Sequence, residues 1–471
     1  MNKNFIAKEF FEMNRAEKRK KFKEINVLNE VISIMRSYFP ELISKFNNLT
    51  DMRHQSYVTY KMKVIFMVRL LGLMCEIKSM HEMTSELNTE ETIANIAEIC
   101  GLKLEEIPHC DTINNVFEQV EVKEIEEIRK YMIVRLIRGK IIKKFLVRDK
   151  YYHIIVDGTG LATSRKKYNS NCLVKNKTDK NGKKYQEYST YVLEAKLVVG
   201  DMVFSIGSEF VENIKKIKVR GYKEISNKKL KISKKETKNL SREKYKQDCE
   251  MKAFRRLAEK IKKQYPRLKI LISGDALYAN KTVLDICKEY GWKYIIRFKE
   301  GAIPTKYNEF NKIVQNDNES TKTNYEFVTQ IDYKDYKINM IKYKEMKDDK
   351  ETEFMYMTDL PITNKNIEAS IFVGRKRWKI ENEGFNIQKN GTFDIGHLYS
   401  KNAIAIKVHY LMIQIAHIIR QMLEKGQIGL KEAIEKQKIK IKEISSQIKK
   451  QLTSTHVDLV GNQRSQLRFD G

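Results

Sequence analysis

Residues 375–391 read R-K-R-W-K-I-E-N-E-G-F-N-I-Q-K-N-G, and this stretch decides the fold. Its apolar spacing predicts a helix, and at about 100° per residue one stripe of that helix carries Trp378, Glu381 and Phe385. We expect Trp378 and Phe385 to be buried, so Glu381 is directed towards the core. Glu383 falls roughly 160° away and is expected to face water. An alternative role for Glu381 is an ion pair with the arginine four residues before it.

Two aspartates stand at the ends of predicted strands elsewhere in the chain. Asp157 ends the apolar run in I-I-V-D-G-T, and Asp275 follows the run L-K-I-L-I-S-G. In an open sheet with parallel central strands such ends lie side by side on one rim, and a helix packed across that rim would add Glu381. Three such carboxylates suit Mg²⁺ or Mn²⁺, and two ions about 4 Å apart support in-line phosphoryl transfer. The alternative for each aspartate is an ordinary turn or helix-cap role.

The first 150 residues predict a helical N-terminal region. Residues 60–75 are typical of a buried helix, Thr89 and Gly101 of the cap and the stop of another, and Asp111 of the cap of a third. Several short helices in a basic protein are typical of a helix-turn-helix DNA reader. A plain helical bundle that scaffolds the next domain is the alternative, and the sequence leaves both open.

The pattern then changes to one of strands alternating with helices. The first strand ends at Asp157, a hairpin is expected at Gly200 and Asp201, and a helix near residues 281–290 separates a fourth strand from a fifth. Alternating apolar and polar residues further on indicate a small antiparallel β insertion. The predicted boundaries are 1–150 for the helical region, 151–299 and 362–425 for the α/β domain, 300–361 for the insertion and 426–471 for a basic helical tail.

The charge balance indicates a polyanionic partner. The 471 residues include 90 Lys+Arg against 61 Asp+Glu, a net charge of +29. A surplus of this size is typical of proteins that bind nucleic acid. A basic surface kept for solubility is the alternative, and a membrane surface is a weaker one. Lysine is densest in residues 215–246, which we expect either to contact phosphates or to form a solvated loop.

The cysteines and the apolar runs indicate the cellular setting. Six cysteines are scattered without a C-x-x-C pair, which argues against a disulfide framework or a zinc ribbon and favours a reducing interior. The first residues lack the apolar segment of a signal peptide. The most apolar runs, residues 64–75 and 403–423, are interrupted by charged or histidine side chains. We therefore expect no membrane span and a soluble, cytoplasmic protein.

Three motifs resemble those of bacterial insertion-sequence transposases of the DDE class: I-I-V-D-G-T, G-D-A-L-Y-A-N and R-W-K-I-E-N-E-G-F-N-I-Q-K. The third is similar to the family's signature helix, in which an arginine lies four residues before the catalytic glutamate and a lysine follows it. The resemblance covers about residues 50–425. It implies an α/β fold with an RNase H-like mixed sheet, flanking helices and a helical N-terminal region. The β insertion before the helix is typical of the cut-and-paste branch.

The resemblance also implies roles for individual residues. Asp157, Asp275 and Glu381 correspond to the catalytic residues that bind two Mg²⁺ or Mn²⁺ ions. Arg377 and Lys389 correspond to contacts with DNA at the transposon ends. The family further implies a homodimer that brings two such ends together.

The signature helix departs from the family pattern at two positions. Gly374 stands where the family often has a tyrosine. Gln388 occupies the usual position of the lysine, which comes one residue later as Lys389. Arg297 and Lys299, on the predicted fifth strand, are further candidates for phosphate contacts.

Together these features predict a nucleoid-associated DNA transposase. It would bind the terminal inverted repeats of its element, cleave phosphodiester bonds there and join the 3′-hydroxyl ends to target DNA. Its partner is double-stranded DNA from the transposon ends and the target, and no membrane is expected. Two alternatives stay open, a metal-dependent nuclease of the same fold and a catalytically inactive DNA-binding relative.

Overall fold

The computed structural model describes residues 25–213, 248–316, 324–347, 350–427, 430–431, 434–435, 438–457 and 467. The lysine-rich segment 215–246 lies outside these residues, so its two alternatives stay predictions. The described part of the chain contains an N-terminal group of helices, one large sheet and the helices that pack between them.

The N-terminal region is helical, as predicted. Its α-helices are α1 (Val27–Tyr38), α2 (Leu42–Asn47), α3 (Met62–Met74), α4 (Met80–Leu87), α5 (Glu90–Cys100), α6 (Cys110–Phe117) and α7 (Val122–Arg138). α3 is buried along nearly its whole length. Thr89 caps α5 and Gly101 ends it with φ of 60°, which confirms both predictions. The predicted cap at Asp111 is wrong: α6 begins at Cys110, because His109 is extended and its side chain accepts the Asp111 N–H.

A nine-stranded sheet forms the second part of the fold. Its strands are β1 (Tyr152–Ser164), β2 (Leu173–Thr178), β3 (Lys184–Val199), β4 (Met202–Val211), β5 (Ile270–Ser273), β6 (Lys293–Phe298), β7 (Tyr325–Tyr333), β8 (Tyr336–Lys347) and β9 (Lys350–Thr358). The order is β2-β3-β1-β5-β6-β9-β8-β7, and β4 pairs with β3. The hairpin between β3 and β4 turns at Gly200, as predicted. The polar stretch between β1 and β3 contains β2, so the strand before Asp275 is the fifth and not the predicted fourth.

Helices cover the sheet and join it to the N-terminal region. They are α8 (Glu250–Gln264), α9 (Lys281–Tyr290), α10 (Pro304–Asn316), α11 (Ile367–Arg375), α12 (Ile387–Asn390), α13 (Ala403–Gly426) and α14 (Ile441–Ser454). α13 packs on α3, α7 and β4. It is long and apolar enough to cross a membrane by length and composition, but 83% of its most apolar window is buried inside the fold. It is therefore the central helix of the core, and buried Arg420 ties it to the Met74 carbonyl at the end of α3.

The prediction that the first strand ends at Asp157 is wrong, because β1 continues to Ser164. Its pairing with β5 ends at Ile155, and the register brings this point of β1 to the same rim as the carboxyl ends of β5 and β6. β1 and β5 are parallel, with Ile155 opposite Ser273, and β6 runs parallel to β5. Asp157 comes two residues after Ile155, and Asp275 comes two residues after Ser273. Equal offsets on neighbouring parallel strands bring both aspartates to the same level, as predicted.

The three strands β7–β9 form the predicted antiparallel meander. They extend the central sheet, because β9 pairs antiparallel with β6. The helix α10 precedes them and was not predicted. The expected mixed sheet with flanking helices and a helical N-terminal region is therefore confirmed, while the division into domains stays a prediction.

Candidate active site

Asp157 lies at the point where β1 leaves its pairing with β5. The four residues before it, 153–156, are buried, and the Asp157 side chain is 18% exposed. Its Oδ1 accepts the N–H of Gly158 at 2.8 Å, which fixes one face of the carboxylate. An ordinary turn role, the alternative for Asp157, explains the hydrogen bond at Oδ1 but leaves Oδ2 unexplained.

Asp275 combines a cap with its place on the rim. Its Oδ1 accepts the Leu277 N–H at 2.9 Å and so caps a single 3₁₀ turn, Ala276–Tyr278. The side chain is half-buried. The cap was the alternative to a functional role. The geometry supports the cap at Oδ1 and leaves the role on the rim as a proposal.

The signature stretch does not form the regular helix that was predicted. A 3₁₀ turn, Lys376–Trp378, follows α11, and a π-helix, Ile380–Asn386, precedes α12. In a π-helix each hydrogen bond spans five residues, so side chains fall out of the 100° pattern. Phe385 is buried as expected, but Trp378 is 48% exposed, and the predicted stripe is wrong at that position.

The two glutamates of this stretch also differ from expectation. The Glu381 side chain is 49% exposed, so it is not directed into the core but lies over the rim. Glu383 does not simply face water: its carboxylate pairs with Lys425 of α13, and its side chain is 31% exposed. Glu383 thus fastens the π-helix to the core, and Glu381 is the glutamate that points towards the aspartates.

Arg377 connects Glu381 to Asp157. Its Nη1 lies 3.0 Å from Glu381 Oε1 and 3.7 Å from Asp157 Oδ2, and its side chain is 20% exposed. The ion pair with Glu381 that was the alternative role is therefore present. The guanidinium occupies the space between two of the three carboxylates and acts there as their positive counter-charge.

The electrostatics of Asp157 show that the three carboxylates share one environment. Burial raises the pKa of Asp157 to about 7; the Gly158 N–H and the Arg377 guanidinium oppose the shift, and the charges of Glu381 and Asp275 add to it. Burial is the largest cause of this shift, and the two neighbouring carboxylates are smaller ones.

The carboxylate oxygens of Asp157, Asp275 and Glu381 do not all lie within 4.8 Å of one another. Among the described residues, the group whose possible ligand atoms all lie within 4.8 Å of one another is His109, Cys110 and Asp111, at the start of α6 and apart from the rim. Its three members are consecutive in the chain, and its imidazole and carboxylate are exposed. It was not predicted from the sequence.

The π-helix explains the displaced lysine. Gln388 is fully buried and bonds to Gln414 and His417, so it is part of the core. The Lys389 side chain is exposed; partial desolvation by the surrounding protein lowers its pKa, and the charge of Asp157, which is near enough to act on this ammonium, opposes that shift. A π-turn accommodates one extra residue. Lys389, eight residues after Glu381, therefore takes the place that the seventh residue would have in a regular α-helix.

The two other predicted cations lie at the end of β6. Arg297 is half-buried; it donates to the Glu353 carbonyl at 2.8 Å and its guanidinium lies 4.6 Å from the ring of Phe354. It therefore packs on β9. Lys299 is exposed and lies one residue beyond the end of the strand, not within it.

Two tyrosines and a fourth carboxylate adjoin the aspartates and were missed in the sequence. Tyr191 of β3 and Tyr278 donate to the two oxygens of Glu250, at 3.0 Å and 2.7 Å. Burial raises the pKa of both tyrosines, and the charges of Glu250, Asp157 and Asp275 add to the shift. Tyr278 stands within G-D-A-L-Y-A-N, but nothing in the sequence connects it with Glu250, in the first turn of α8.

Two models of known protein families match parts of the chain. Residues 43–132 match the family model described as DDE_Tnp_1-associated, and residues 246–419 match the transposase DDE domain. The second match contains Asp275 and Glu381, and Asp157 lies between the two matches. A search of curated proteins finds no match to the chain. Together the two models match more than half of the chain, which belongs to the DDE-class transposases, a family of polynucleotidyl transferases that act on DNA.

Proposed function

We propose that the chain is an active transposase that binds the terminal inverted repeats of its own element. It cleaves phosphodiester bonds at those ends and joins the freed 3′-hydroxyls to target DNA. The observation that carries the proposal is the meeting of Asp157 and Asp275 on one rim, with Glu381 tied to Asp157 through Arg377.

The side chains present fit a divalent metal, which the family typically uses. All three are carboxylates, the ligands that Mg²⁺ and Mn²⁺ prefer, and Arg377 is the one cation that pairs with Asp157 and Glu381 among the described residues. Asp157, Asp275 and Glu381 would hold the metal, two ions by our proposal, and it would supply activation of a water or 3′-hydroxyl and stabilisation of the leaving oxygen.

The surrounding residues have separate tasks in this proposal. The Gly158 N–H orients Asp157 by binding Oδ1, which leaves Oδ2 directed towards Arg377. Arg377 holds the half-exposed Glu381 in position. Lys389 lies near Asp157 and is exposed, so it is the cation best placed to meet a phosphate of the substrate. Lys299 is a second candidate, and Arg297 is less accessible because it stacks on β9.

The partners follow from charge and chemistry. A net charge of +29 favours double-stranded DNA, first the transposon ends and then the target. Joining two ends in one event requires two active sites, so we propose a homodimer. A protein of this charge that acts on DNA would be associated with the nucleoid. The helical residues 25–150 are proposed to contribute to end binding.

An assay that scores cleavage and end joining separately tests the proposal. Purified protein, a labelled duplex with the inverted repeat that borders the gene, and a target plasmid are incubated with Mg²⁺. We expect both products from the wild type and neither from Asp157→Asn. Cleavage without joining would instead indicate a metal-dependent nuclease, and DNA binding without either product would indicate an inactive relative.

A further inference from the structure

A hairpin of β2 and β3 extends beyond the rim that carries the aspartates. We define the basic arm as residues 165–189, which comprise β2, the start of β3 and the chain leading into them. β1 and β3 pair from the level of Asp157, opposite Glu194, as far as Ser164, opposite Tyr188. Beyond that level β3 pairs with β2 alone, to Thr178 opposite Lys184. The arm therefore continues in the direction in which β1 points past Asp157.

The reach of the arm matches one turn of DNA. β3 covers ten residues between Lys184 and Glu194. At about 3.3 Å per residue, the tip lies roughly 30 Å beyond the level of Asp157. One turn of B-DNA measures about 34 Å. A duplex whose scissile phosphate lies at the rim would thus meet the arm within about one turn of that phosphate, a length over which one stretch of major groove faces the ribbon.

The tip of the arm is held by its own hydrogen bonds. Asp179 Oδ1 accepts the N–H groups of Asn181 and Lys183, both at 2.9 Å, and the Asp179 carbonyl accepts the Gly182 N–H at 3.1 Å. Gly182 has φ of 79°, a conformation that favours glycine. The arm is thus a preformed two-stranded ribbon whose ordering cost is met before any partner binds.

The arm is strongly basic on its exposed surface. It contains eight Lys or Arg residues and two acidic ones, a net charge of +6. All eight cations are exposed: Arg165, Lys166, Lys167, Lys175, Lys177, Lys180, Lys183 and Lys184. Both acids are engaged within the arm, Asp179 in the tip and Glu187 with Lys177 at 2.7 Å. The other cations have no ion-pair partner within the part of the chain that the structure describes.

We propose that the basic arm binds duplex DNA next to the cleavage position, with its two-stranded ribbon in the major groove. The major groove is about 12 Å wide and admits a ribbon of this kind. Exposed lysines along both strands would meet the phosphates on the groove walls. The proposal rests on the proposed function, since it needs a DNA substrate at the rim.

Salt-dependent binding of the full chain tests the proposal. The probe is a fluorescein-labelled duplex of mixed sequence, about 30 bp or roughly three helical turns. The arm variant carries Lys180→Gln, Lys183→Gln and Lys184→Gln. The matched control carries three substitutions at exposed cations: Lys150→Gln and Lys269→Gln, which precede β1 and β5 on the opposite rim, and Arg267→Gln. Anisotropy titrations give the association constant at several salt concentrations.

The arm variant should lose both affinity and salt dependence. Each lost phosphate contact reduces the slope of log K against log salt by about 0.9. Three contacts therefore predict a slope shallower by about 2–3 and weaker binding at 0.1 M salt, on the order of a hundredfold. Guanine N7, which faces the major groove, should be protected from methylation by the wild type and exposed with the arm variant at saturating protein.

The possible outcomes distinguish a failure of the arm proposal from a failure of the proposed function. If the arm variant and the control lose equally little, the arm does not bind DNA, although the transposase activity stands. N7 protection that persists in the arm variant would overturn the placement in the major groove. If the wild type itself fails to bind duplex DNA, both the arm and the proposed function are wrong.

Discussion

Gly158 is required because Tyr191 passes directly over it. A Cβ built on Gly158 would lie 2.1 Å from the Tyr191 hydroxyl oxygen and 2.6 Å from two ring carbons. Ordinary carbon contacts are about 3.5–4 Å, so Gly158→Ala requires the ring to retreat by about 1 Å or more. The ring cannot retreat freely, since its hydroxyl donates to Glu250 at 3.0 Å.

The cost of Gly158→Ala follows from these two contacts. Overpacking costs about 1–3 kcal/mol, and a hydrogen bond to a charged group contributes about 1.5–3 kcal/mol. We expect the free energy of unfolding to fall by about 2–4 kcal/mol, since part of each contact is kept. The same substitution also displaces the N–H that binds Asp157, so DNA cleavage should fall with it.

Gly160, in the same strand, provides the matched control. No atom lies within 4 Å of a Cβ built there, so Gly160→Ala should be neutral or stabilising by up to about 1 kcal/mol. Urea unfolding followed by tryptophan fluorescence compares the two variants. Equal midpoints for both would refute the steric argument. So would a double variant of Gly158→Ala with Tyr191→Leu that is less stable than Tyr191→Leu alone.

Two further predictions concern buried polar groups. Glu250→Ala leaves the hydroxyls of Tyr191 and Tyr278 without their acceptor. Thermal unfolding should show a loss of about 2–3 kcal/mol in the free energy of unfolding, and a smaller loss for Glu250→Gln. Equal stability of Glu250→Ala and wild type would contradict these hydrogen bonds. Burial lowers the pKa of His153 to about 3, so the folded protein favours the neutral imidazole. The free energy of unfolding should therefore be unaffected by this group above pH 6.5 and should fall by about 1.4 kcal/mol per pH unit as the pH drops from 6.5 towards 3. Urea unfolding at pH 7 and pH 5 should therefore show a weaker pH dependence for His153→Asn, and an unchanged one would exclude this histidine as its source.

Much of the α/β region could be predicted because its signals are local. The strand before Asp275 is a short apolar run, and its end is marked by the polar residue itself. α9 has the predicted bounds, Lys281–Tyr290, since Asn280 caps it and Gly291 ends it with φ of 68°. Such segments depend on few distant contacts, so pattern and caps suffice.

The parts that could not be predicted depend on exposure or on distant partners. β2 is exposed on both faces beyond its first residues, so it lacks the alternation that reveals a strand. A 100° pattern does not reveal that the signature stretch changes from a 3₁₀ turn to a π-helix, and Trp378, which lies in the 3₁₀ turn, is exposed instead of buried. Gly374 has its reason in another element: a Cβ there would lie 2.6 Å from the Tyr356 ring, so an aromatic side chain from β9 already fills that space.

The two glutamates of the π-helix test the assignment of the active site most directly. Glu381 and Glu383 have the same chemistry and stand two residues apart, but only Glu381 is tied to the rim, through Arg377. Glu383 pairs with Lys425, a partly exposed ion pair whose loss costs about 1 kcal/mol or less. Substituting Glu381 therefore removes a carboxylate from the rim, whereas substituting Glu383 does not. The two substitutions should have similar, small effects on the free energy of unfolding.

The decisive measurement is Mg²⁺-dependent cleavage of a labelled transposon-end duplex by Glu381→Gln and by Glu383→Gln, with equal folding verified by urea unfolding. We expect Glu381→Gln to lose at least about a hundredfold in rate, the upper end of what loss of a supporting partner costs at a metal site. Glu383→Gln should stay close to wild type. Cleavage by Glu381→Gln at the wild-type rate, or a greater loss in Glu383→Gln, would contradict the proposed site.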